Sequence, residues 1–427
     1  MTRAVFTDAR LIDPATGLDA RGAMLVEDGH IADVATGEAP GLPEDAEVVD
    51  CAGRVLGPGL VDMDVAIGEP GARHKESFRS VGEAAARGGV TTLVMQPTTT
   101  PPLDDAAMLE FVRRRAEAAC DVTVLPMACL TKGAEGREMS EHRFLMDAGA
   151  VALTDGERAV ADPVVFRRCL QYASSAGAMV AFHPQEPSFT ALGCATEGQY
   201  ATLLGLPEVP AEAEAIQLTR DIRIAALAGA TVHAARISTA ESLAILRRAK
   251  EADLPVSASV AVPHMALNEL DIADFRTFSK VSPPLRHEAD REAVEAAVIE
   301  GLIDCVVSAH RPQDEESKRL PYAQAAAGGV GLETLLAVSL SLHHRAGMPL
   351  TALFERLSLA PSRLLGRETG RLAKGAPADL VLVDVDAPWV VDRKALASKS
   401  KNSPFHERRV EGRVLGTWVG GERVWAA

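Results

Sequence analysis

Three histidines follow apolar, strand-like segments of the sequence: His233, His264 and His310. Imidazole transfers protons near neutral pH and binds metal ions, so three histidines that converge at strand ends could form a site. The alternative is that each one is a hydrogen-bonded structural residue, the commoner role of a single histidine in such a place. The six cysteines include no CxxC pair and several lie in apolar runs, so we expect buried free thiols.

The elements that would position these residues alternate along the middle of the chain. Amphipathic helical stretches separate short apolar segments, which read VTTLVMQP, DVTVLPMACL, GAVALTD, GAMVAFHP, GATVHAARIS, LPVSASVAVPH and LIDCVVSAH. Apolar strands that each precede a helix indicate parallel pairing with the helices outside. Roughly eight such units predict a (β/α)8 barrel, an α/β fold whose functional residues lie where strands end. A doubly wound sheet fits nearly as well, but no GxGxxG opens the first unit.

The two ends of the chain have a different pattern. Short runs of alternating apolar residues are broken by Asp-Gly and Thr-Gly near the N-terminus, and the last fifty residues repeat this pattern. Such runs predict antiparallel strands and hairpins. We therefore expect residues 1–55 and 370–427 to form one small β-sandwich domain, and residues 56–369 to form the barrel. Within the barrel, Ser238 and Glu241 have the spacing of a capping box.

Charge and hydropathy exclude some functions. The formal net charge of −15 argues against non-specific nucleic-acid binding, which needs a basic surface. The N-terminal residues lack a signal-peptide apolar stretch, and no apolar run is long enough to span a membrane. We expect a cytoplasmic protein with neither nucleic-acid nor membrane partners.

Several segments together resemble the dihydroorotase family of cyclic amidohydrolases. They are GPGLVDMDVAIGEPG at 57–71, HKESF at 74–78, GGVTTLVMQPTTTPPLD at 88–104, LGLPEVPAEAEAI at 204–216, KVSPPLR at 280–286, VGLET at 330–334, KGAPADLVLVD at 374–384 and SKSKNSPF at 398–405. The resemblance implies a (β/α)8 barrel with a β-sandwich. It also implies metal-dependent interconversion of carbamoyl aspartate and dihydroorotate, with a carboxylate that shuttles the proton.

The resemblance assigns metal ligands to the strand ends, and this chain departs from most of them. The His-x-His pair of the first strand is replaced by Asp64 and Ala66, while Asp155 and His183 keep the expected residue types. Arg236 stands where a second histidine of the next motif would bind metal, and brings a permanent positive charge. The proton-shuttle aspartate is replaced by Ala309.

The positions that bind substrate in the family are also changed. Gly68 replaces an arginine, Thr100 and Ser282 replace two asparagines, and Gln313 replaces a histidine. These losses lie in separate segments, yet all of them fall on one site. The resemblance is therefore strongest to inactive dihydroorotase-like chains that associate with aspartate transcarbamoylase.

Two hypotheses follow from this pattern. The first is a non-catalytic structural or regulatory subunit of aspartate transcarbamoylase, oligomeric and without a cofactor. The second is an active metal-dependent dihydroorotase, in which Asp64, Asp155 and His183 hold one zinc ion in a rearranged mononuclear site. A sensor that binds a ligand in the vacated pocket has no positive support in the sequence.

Overall fold

The computed structural model describes residues 3–37 and 46–427. Its strands are β1 Arg3–Asp13, β2 Leu18–Glu27, β3 His30–Thr36, β4 Glu47–Asp50, β5 Val55–Pro58, β6 Leu60–Val65, β7 Val90–Met95, β8 Thr123–Pro126, β9 Val180–Phe182, β10 Ala195–Thr196, β11 Glu208–Val209, β12 Val232–Ala234, β13 Val256–Ala261, β14 Cys305–Val307, β15 Leu380–Val390, β16 Arg409–Val419 and β17 Glu422–Ala426.

The α-helices lie mainly between the central strands. They are α1 Phe78–Arg87, α2 Ala106–Glu117, α3 His142–Asp147, α4 Pro163–Ser175, α5 Pro187–Thr190, α6 Gln199–Leu204, α7 Glu212–Ala228, α8 Ala240–Glu251, α9 Val262–Ala266, α10 Glu288–Glu300, α11 Glu315–Lys318, α12 Leu335–Ala346, α13 Leu350–Phe354 and α14 Ala360–Leu364.

Both ends of the chain join one sheet, as the sequence predicts. The strands pair in the order β17-β16-β15-β5-β1-β2-β3, with β4 also paired to β1, so strands from both ends belong to one hydrogen-bonded sheet. The rings of Phe6 and Trp418 meet edge to face with centroids 5.0 Å apart, in a core of the sheet's own. Residues 1–2 and 38–45 of the predicted N-terminal part lie outside the described ranges.

The central strands are parallel, which confirms the α/β class. Continuous ladders join β6, β7 and β8 in one sheet and β9, β12, β13 and β14 in another. Single parallel bridges connect the sheets on both sides: Val65 with His310, and Leu153 with both Ala128 and Val180. Eight parallel segments thus follow one another in a ring, the arrangement that the predicted barrel requires. The segment around Leu153 joins the ring through bridges alone.

Local sequence explains these elements. Every residue of β6, β7 and β13 is buried, as expected for parallel strands covered on both faces. Helix α4 begins after Asp162, whose carboxylate accepts from the backbone of the first turn, and Pro163 opens the helix. The predicted cap of α8 is wrong by one residue, because Thr239 caps it and Ser238 has another partner.

No helix within residues 3–37 and 46–427 has the length and apolar character needed to cross a membrane.

The six cysteines are free thiols, as predicted. Five are buried and Cys120 is half-buried. Burial raises the pKa of Cys51 and Cys169 to about 12 and that of Cys120 to about 11. Because the thiolate is the reactive form, we expect native protein to react slowly with Ellman's reagent, Cys120 first. Protein in guanidinium chloride should release the full six equivalents; rapid reaction of several native thiols would contradict the burial.

Candidate functional site

The predicted site residues lie at the carboxyl ends of the parallel segments. Asp64 is near the end of β6, Asp155 follows the segment bridged at Leu153, and His183 follows β9. Arg236 follows β12 and Ala309 follows β14. In barrels of this type, the carboxyl ends of the strands meet at the face that carries function. The structure therefore brings residues from five separate segments to one face.

Arg236 lies at the centre of this face. Only 3% of the residue is exposed, and its backbone has a φ of 58°. Its Nε lies 2.8 Å from Oδ2 of Asp64, and one terminal nitrogen lies 2.5 Å from Oε1 of Glu157. The same nitrogen donates to the carbonyl oxygen of Ser282 at 2.6 Å. A buried guanidinium needs such partners, because an unpaired charge would be costly here.

Asp64 is occupied on both carboxylate oxygens. Gln96 donates from its side-chain amide to Oδ1 at 2.8 Å, and Arg236 lies against Oδ2. Asp155 is occupied in a different way. The backbone N–H of Thr131 donates to one oxygen at 2.9 Å, and the Thr131 hydroxyl donates to the other at 2.5 Å. Burial raises the pKa of Asp155 to about 6.

His183 presents an unused nitrogen to the site. The residue is 2% exposed, and its Nδ1–H donates to the carbonyl oxygen of Ala235 at 3.4 Å. None of the residues in the described ranges offers Nε2 a hydrogen bond. Burial, and then the charge of Arg236, lower the pKa of His183 well below its usual range. The imidazole is therefore neutral at pH 7, with an unshared pair of electrons on Nε2.

These donors do not fit a metal ion as they are placed. Among the residues that the structure describes, no group of three or more His, Cys, Asp or Glu side chains could hold one. Asp64 is paired to a guanidinium, and Asp155 is hydrogen-bonded through both oxygens to Thr131. No catalytic step through a metal is therefore derived from this arrangement.

Two charged residues that the sequence analysis missed, Glu157 and Arg311, form a cluster of ion pairs with Asp64 and Arg236. Glu157 lies two residues beyond Asp155, and its Oε1 is 3.2 Å from Nε of Arg311 and 2.5 Å from Arg236. Burial would raise the pKa of Glu157, but Arg311 and then Arg236 outweigh it and lower the pKa to about 2. Glu157 and Arg311 each lie two residues beyond a recognised position, Asp155 or Ala309, so charged residues just beyond strand ends were the signal that could have found them.

Two of the other altered positions lie at a small cavity beside the charged residues. Ser282 and Ala309 line a cavity together with Glu157, Arg236 and Arg311. That cavity has a volume of about 10 Å³, room for about one water molecule. A substrate of the size of dihydroorotate therefore needs a side chain to move.

Gly68 and Gln313 cannot serve as the family's residues do. A Cβ on Gly68 would lie 2.3 Å from the carbonyl oxygen of Ala72, so the backbone itself leaves no room for an arginine. The side-chain amide of Gln313 is already paired on both sides. Its nitrogen donates to the carbonyl oxygen of Ala327, and its oxygen accepts from the ammonium group of Lys75.

The remaining altered positions offer backbone or loop contacts. The backbone N–H of Ala66 donates to the backbone carbonyl oxygen of His310, and the backbone N–H of Thr100 donates to that of Pro70.

The three histidines do not converge on one site. His233 is hydrogen-bonded to the hydroxyl groups of Ser257 and Ser259. His310 faces Glu76 and accepts from the N–H of Gly331. His264 lines the cavity and donates to the carbonyl oxygen of Pro283 at 2.9 Å. The structural role therefore applies to His233 and His310.

Comparison with known proteins adds to this geometry. The family described as Dihydro-orotase-like matches residues 53–242. The dihydroorotase of Anaplasma phagocytophilum is 39% identical over 426 residues, covering 99% of this chain and 95% of that protein. The dihydroorotase of Syntrophus aciditrophicus is 37% identical over 417 residues, covering 97% of each.

Solved structures share the fold. The L-hydantoinase (dihydropyrimidinase) from Arthrobacter aurescens superposes with a TM-score of 0.89 at 23% identity, covering 100% of this chain and 96% of that one. Dihydropyrimidinase from Brevibacillus agri superposes with a TM-score of 0.86 at 20% identity, covering 100% and 95%.

These relatives contradict the prediction of a non-catalytic structural subunit, and with it the prediction that the chain is not an enzyme. Full-length relatives at 36–39% identity are named dihydroorotase, and no such name indicates an inactive variant. They also give no support to the expectation that no cofactor is bound. The sequence-based prediction counted the replaced ligands as losses and treated Arg236 as a charge opposed to a metal ion. The chain belongs to the dihydroorotase family.

Proposed function

We propose that this protein is a cyclic amidohydrolase that interconverts carbamoyl aspartate and dihydroorotate. The observation that carries the proposal is the relationship to curated dihydroorotases over 97–99% of the chain. The geometry of the site supports it. Both compounds carry carboxylates, and the face at the strand ends presents two arginines, Arg236 and Arg311.

The chain's own residues can bind the substrate and move a proton. Arg236 and Arg311 supply positive charge beside the cavity, where an anionic substrate or a developing oxyanion would be stabilised. His183 is neutral and its Nε2 has no partner, so it can accept a proton from an attacking water. Hydrolysis then breaks the ring amide bond, and the proton passes to the departing nitrogen. The role of His183 is part of the proposal.

Turnover in both directions tests the proposal. Purified protein should convert L-dihydroorotate to carbamoyl-L-aspartate at alkaline pH and reverse the reaction at acidic pH, assayed with zinc, without zinc and after chelation. Turnover under any of these conditions supports the proposed function. Absence of turnover under all of them, in protein shown to be folded, would overturn it.

Replacing His183 tests the proton acceptor. We expect His183→Ala to lower kcat by about 10²–10⁴-fold, the usual contribution of general acid–base catalysis. The matched control is His30→Ala, because His30 is exposed on the terminal sheet, where its ring is hydrogen-bonded to the carbonyl oxygen of Asp28. Equal kcat values for the two variants would remove His183 from the mechanism.

The predicted association with aspartate transcarbamoylase stays a prediction of the resemblance, as does the oligomeric state. Sedimentation of this chain alone and mixed with that enzyme measures both.

A further inference from the structure

Glu157 holds two guanidinium groups through one oxygen atom. Its Oε1 lies 2.5 Å from Arg236 and 3.2 Å from Arg311. A carboxylate between two arginines is the contact that an anionic substrate would make with the same pair. Glu157 therefore places a carboxylate in the site, and a carboxylate is also the group that the proposed substrates carry.

The guanidinium of Arg236 and the backbone of Arg311 are held independently of Glu157. Arg236 is fixed by Asp64 at 2.8 Å and by the carbonyl oxygen of Ser282 at 2.6 Å. The backbone N–H of Arg311 donates to Gly329 at 2.7 Å. A Cβ on Gly328 would lie 2.9 Å from Cβ of Arg311, so the arginine stem packs against this glycine. Removal of Glu157 would therefore leave the Arg236 guanidinium paired and the Arg311 stem packed, and would free the Arg311 guanidinium for another carboxylate.

Glu157 is the member of the cluster that can leave. It follows Gly156, which has a φ of +64°, in the loop before α4, and 26% of its side chain is exposed. By contrast, 3% of the Arg236 side chain and 5% of the Asp64 side chain are exposed. Rotation of Glu157 toward solvent would hydrate its carboxylate and break its pairs with the two arginines, which a substrate carboxylate would replace. Movement of Asp64 or Arg236 would instead leave a charge buried without its partner.

Charge balance points to the same exchange. Asp64 and Glu157 neutralise Arg236 and Arg311, so departure of Glu157 leaves one positive charge in excess. Dihydroorotate carries one carboxylate and would restore neutrality. The cavity of about 10 Å³ admits no substrate until a side chain moves, and Glu157 is a lining residue.

We propose that Arg236 and Arg311 form the carboxylate-binding subsite of this enzyme, and that Glu157 occupies it until a substrate carboxylate displaces it. The inference rests on the proposed function for the identity of the ligand. Glu157 is then a specificity-determining residue, because a ring without a carboxylate cannot replace it at the arginines.

Calorimetric titration of the full chain tests this exchange, with L-dihydroorotate as ligand and 5,6-dihydrouracil, the same ring without the carboxylate, as its control. We expect Glu157→Gln to bind dihydroorotate about tenfold or more tightly than wild type, because a competing state is removed. Arg311→Gln should weaken that binding by about tenfold or more. Glu315→Gln, which alters an exposed pair with Arg319, should match wild type.

Binding and turnover separate this inference from the proposed function. Tighter binding by Glu157→Gln without turnover would support the subsite while the proposed function fails. Turnover with dihydroorotate affinity unchanged in both Glu157→Gln and Arg311→Gln would overturn the subsite while the function stands. Equal strengthening of dihydroorotate and dihydrouracil binding in Glu157→Gln would also overturn it, since the gain would then come from space alone. Thermal unfolding of each variant shows that it is folded; Glu157→Gln conserves shape and keeps the test open if Arg311→Gln does not fold.

Discussion

Replacement of Arg236 with methionine should lower the free energy of unfolding by about 3–5 kcal/mol, the cost of removing one partner from a buried ion pair. Asp64 and Glu157 would lose their shared cation, and Asp64 has a 5% exposed side chain with little access to water. Methionine retains most of the apolar stem, so the loss reports mainly on charge. Urea unfolding at pH 7, with the reversibility of the transition verified, measures it.

A second substitution identifies the cause of that loss. If the unpaired Asp64 carboxylate is responsible, adding Asp64→Asn to Arg236→Met should restore part of the stability. Together with the Asp64→Asn single variant, the two measurements give the coupling free energy of the pair. The matched control is Arg319→Met, which breaks an exposed pair with Glu315 and should cost no more than about 1 kcal/mol. An Arg236→Met variant as stable as this control would show that the buried network does not stabilise the fold.

Replacement of Glu214 with alanine should be comparably destabilising. Glu214 is fully buried in α7 and accepts from the backbone N–H groups and hydroxyls of Ser238 and Thr239. It also lies 3.8 Å from Arg286, whose side chain is 2% exposed. Alanine would remove the carboxylate that accepts from these donors and that lies nearest to the buried cation of Arg286, at a cost of about 3–5 kcal/mol.

The Glu214 substitution should also affect the site. Ser238 and Thr239 lie two and three residues after Arg236, so loss of their anchor releases the segment that positions the guanidinium. We expect the affinity for dihydroorotate to fall together with stability. Glu212→Ala, an exposed glutamate in the first turn of the same helix, should change neither quantity. Unchanged stability of Glu214→Ala, measured by urea unfolding beside this control, would mean that another group supports the segment.

The sequence-based survey of the site identified positions correctly but misjudged their meaning. Asp64, Asp155, His183, Arg236 and Ala309 do lie at the carboxyl ends of the parallel segments. The survey treated Arg236 as an obstacle to a metal ion and counted each substitution as a loss. It did not anticipate that Arg236 would be paired with Asp64 and Glu157, and the relatives contradict the conclusion that the chain is not an enzyme.

Local patterns in the sequence determined the strands, the helices and the positions at which strands end. Apolar runs with period two or with a helical period report which side of each element is buried, and this information lies within a few residues. The resemblance determined the family. The alternating apolar patterns at the two termini, in agreement with the resemblance, predicted that these segments, which are more than 300 residues apart, come together.

Tertiary structure alone decided which partners the site residues have. Arg236 and Glu157 are 79 residues apart in the chain, and Asp62 and the N–H of Ser308, which meet where the ring closes, are 246 apart. Gly68 excludes an arginine because of the path of the backbone at Ala72, which no single residue encodes. Such contacts depend on the relative placement of whole elements, because each side chain pairs with the charge that packing brings within reach.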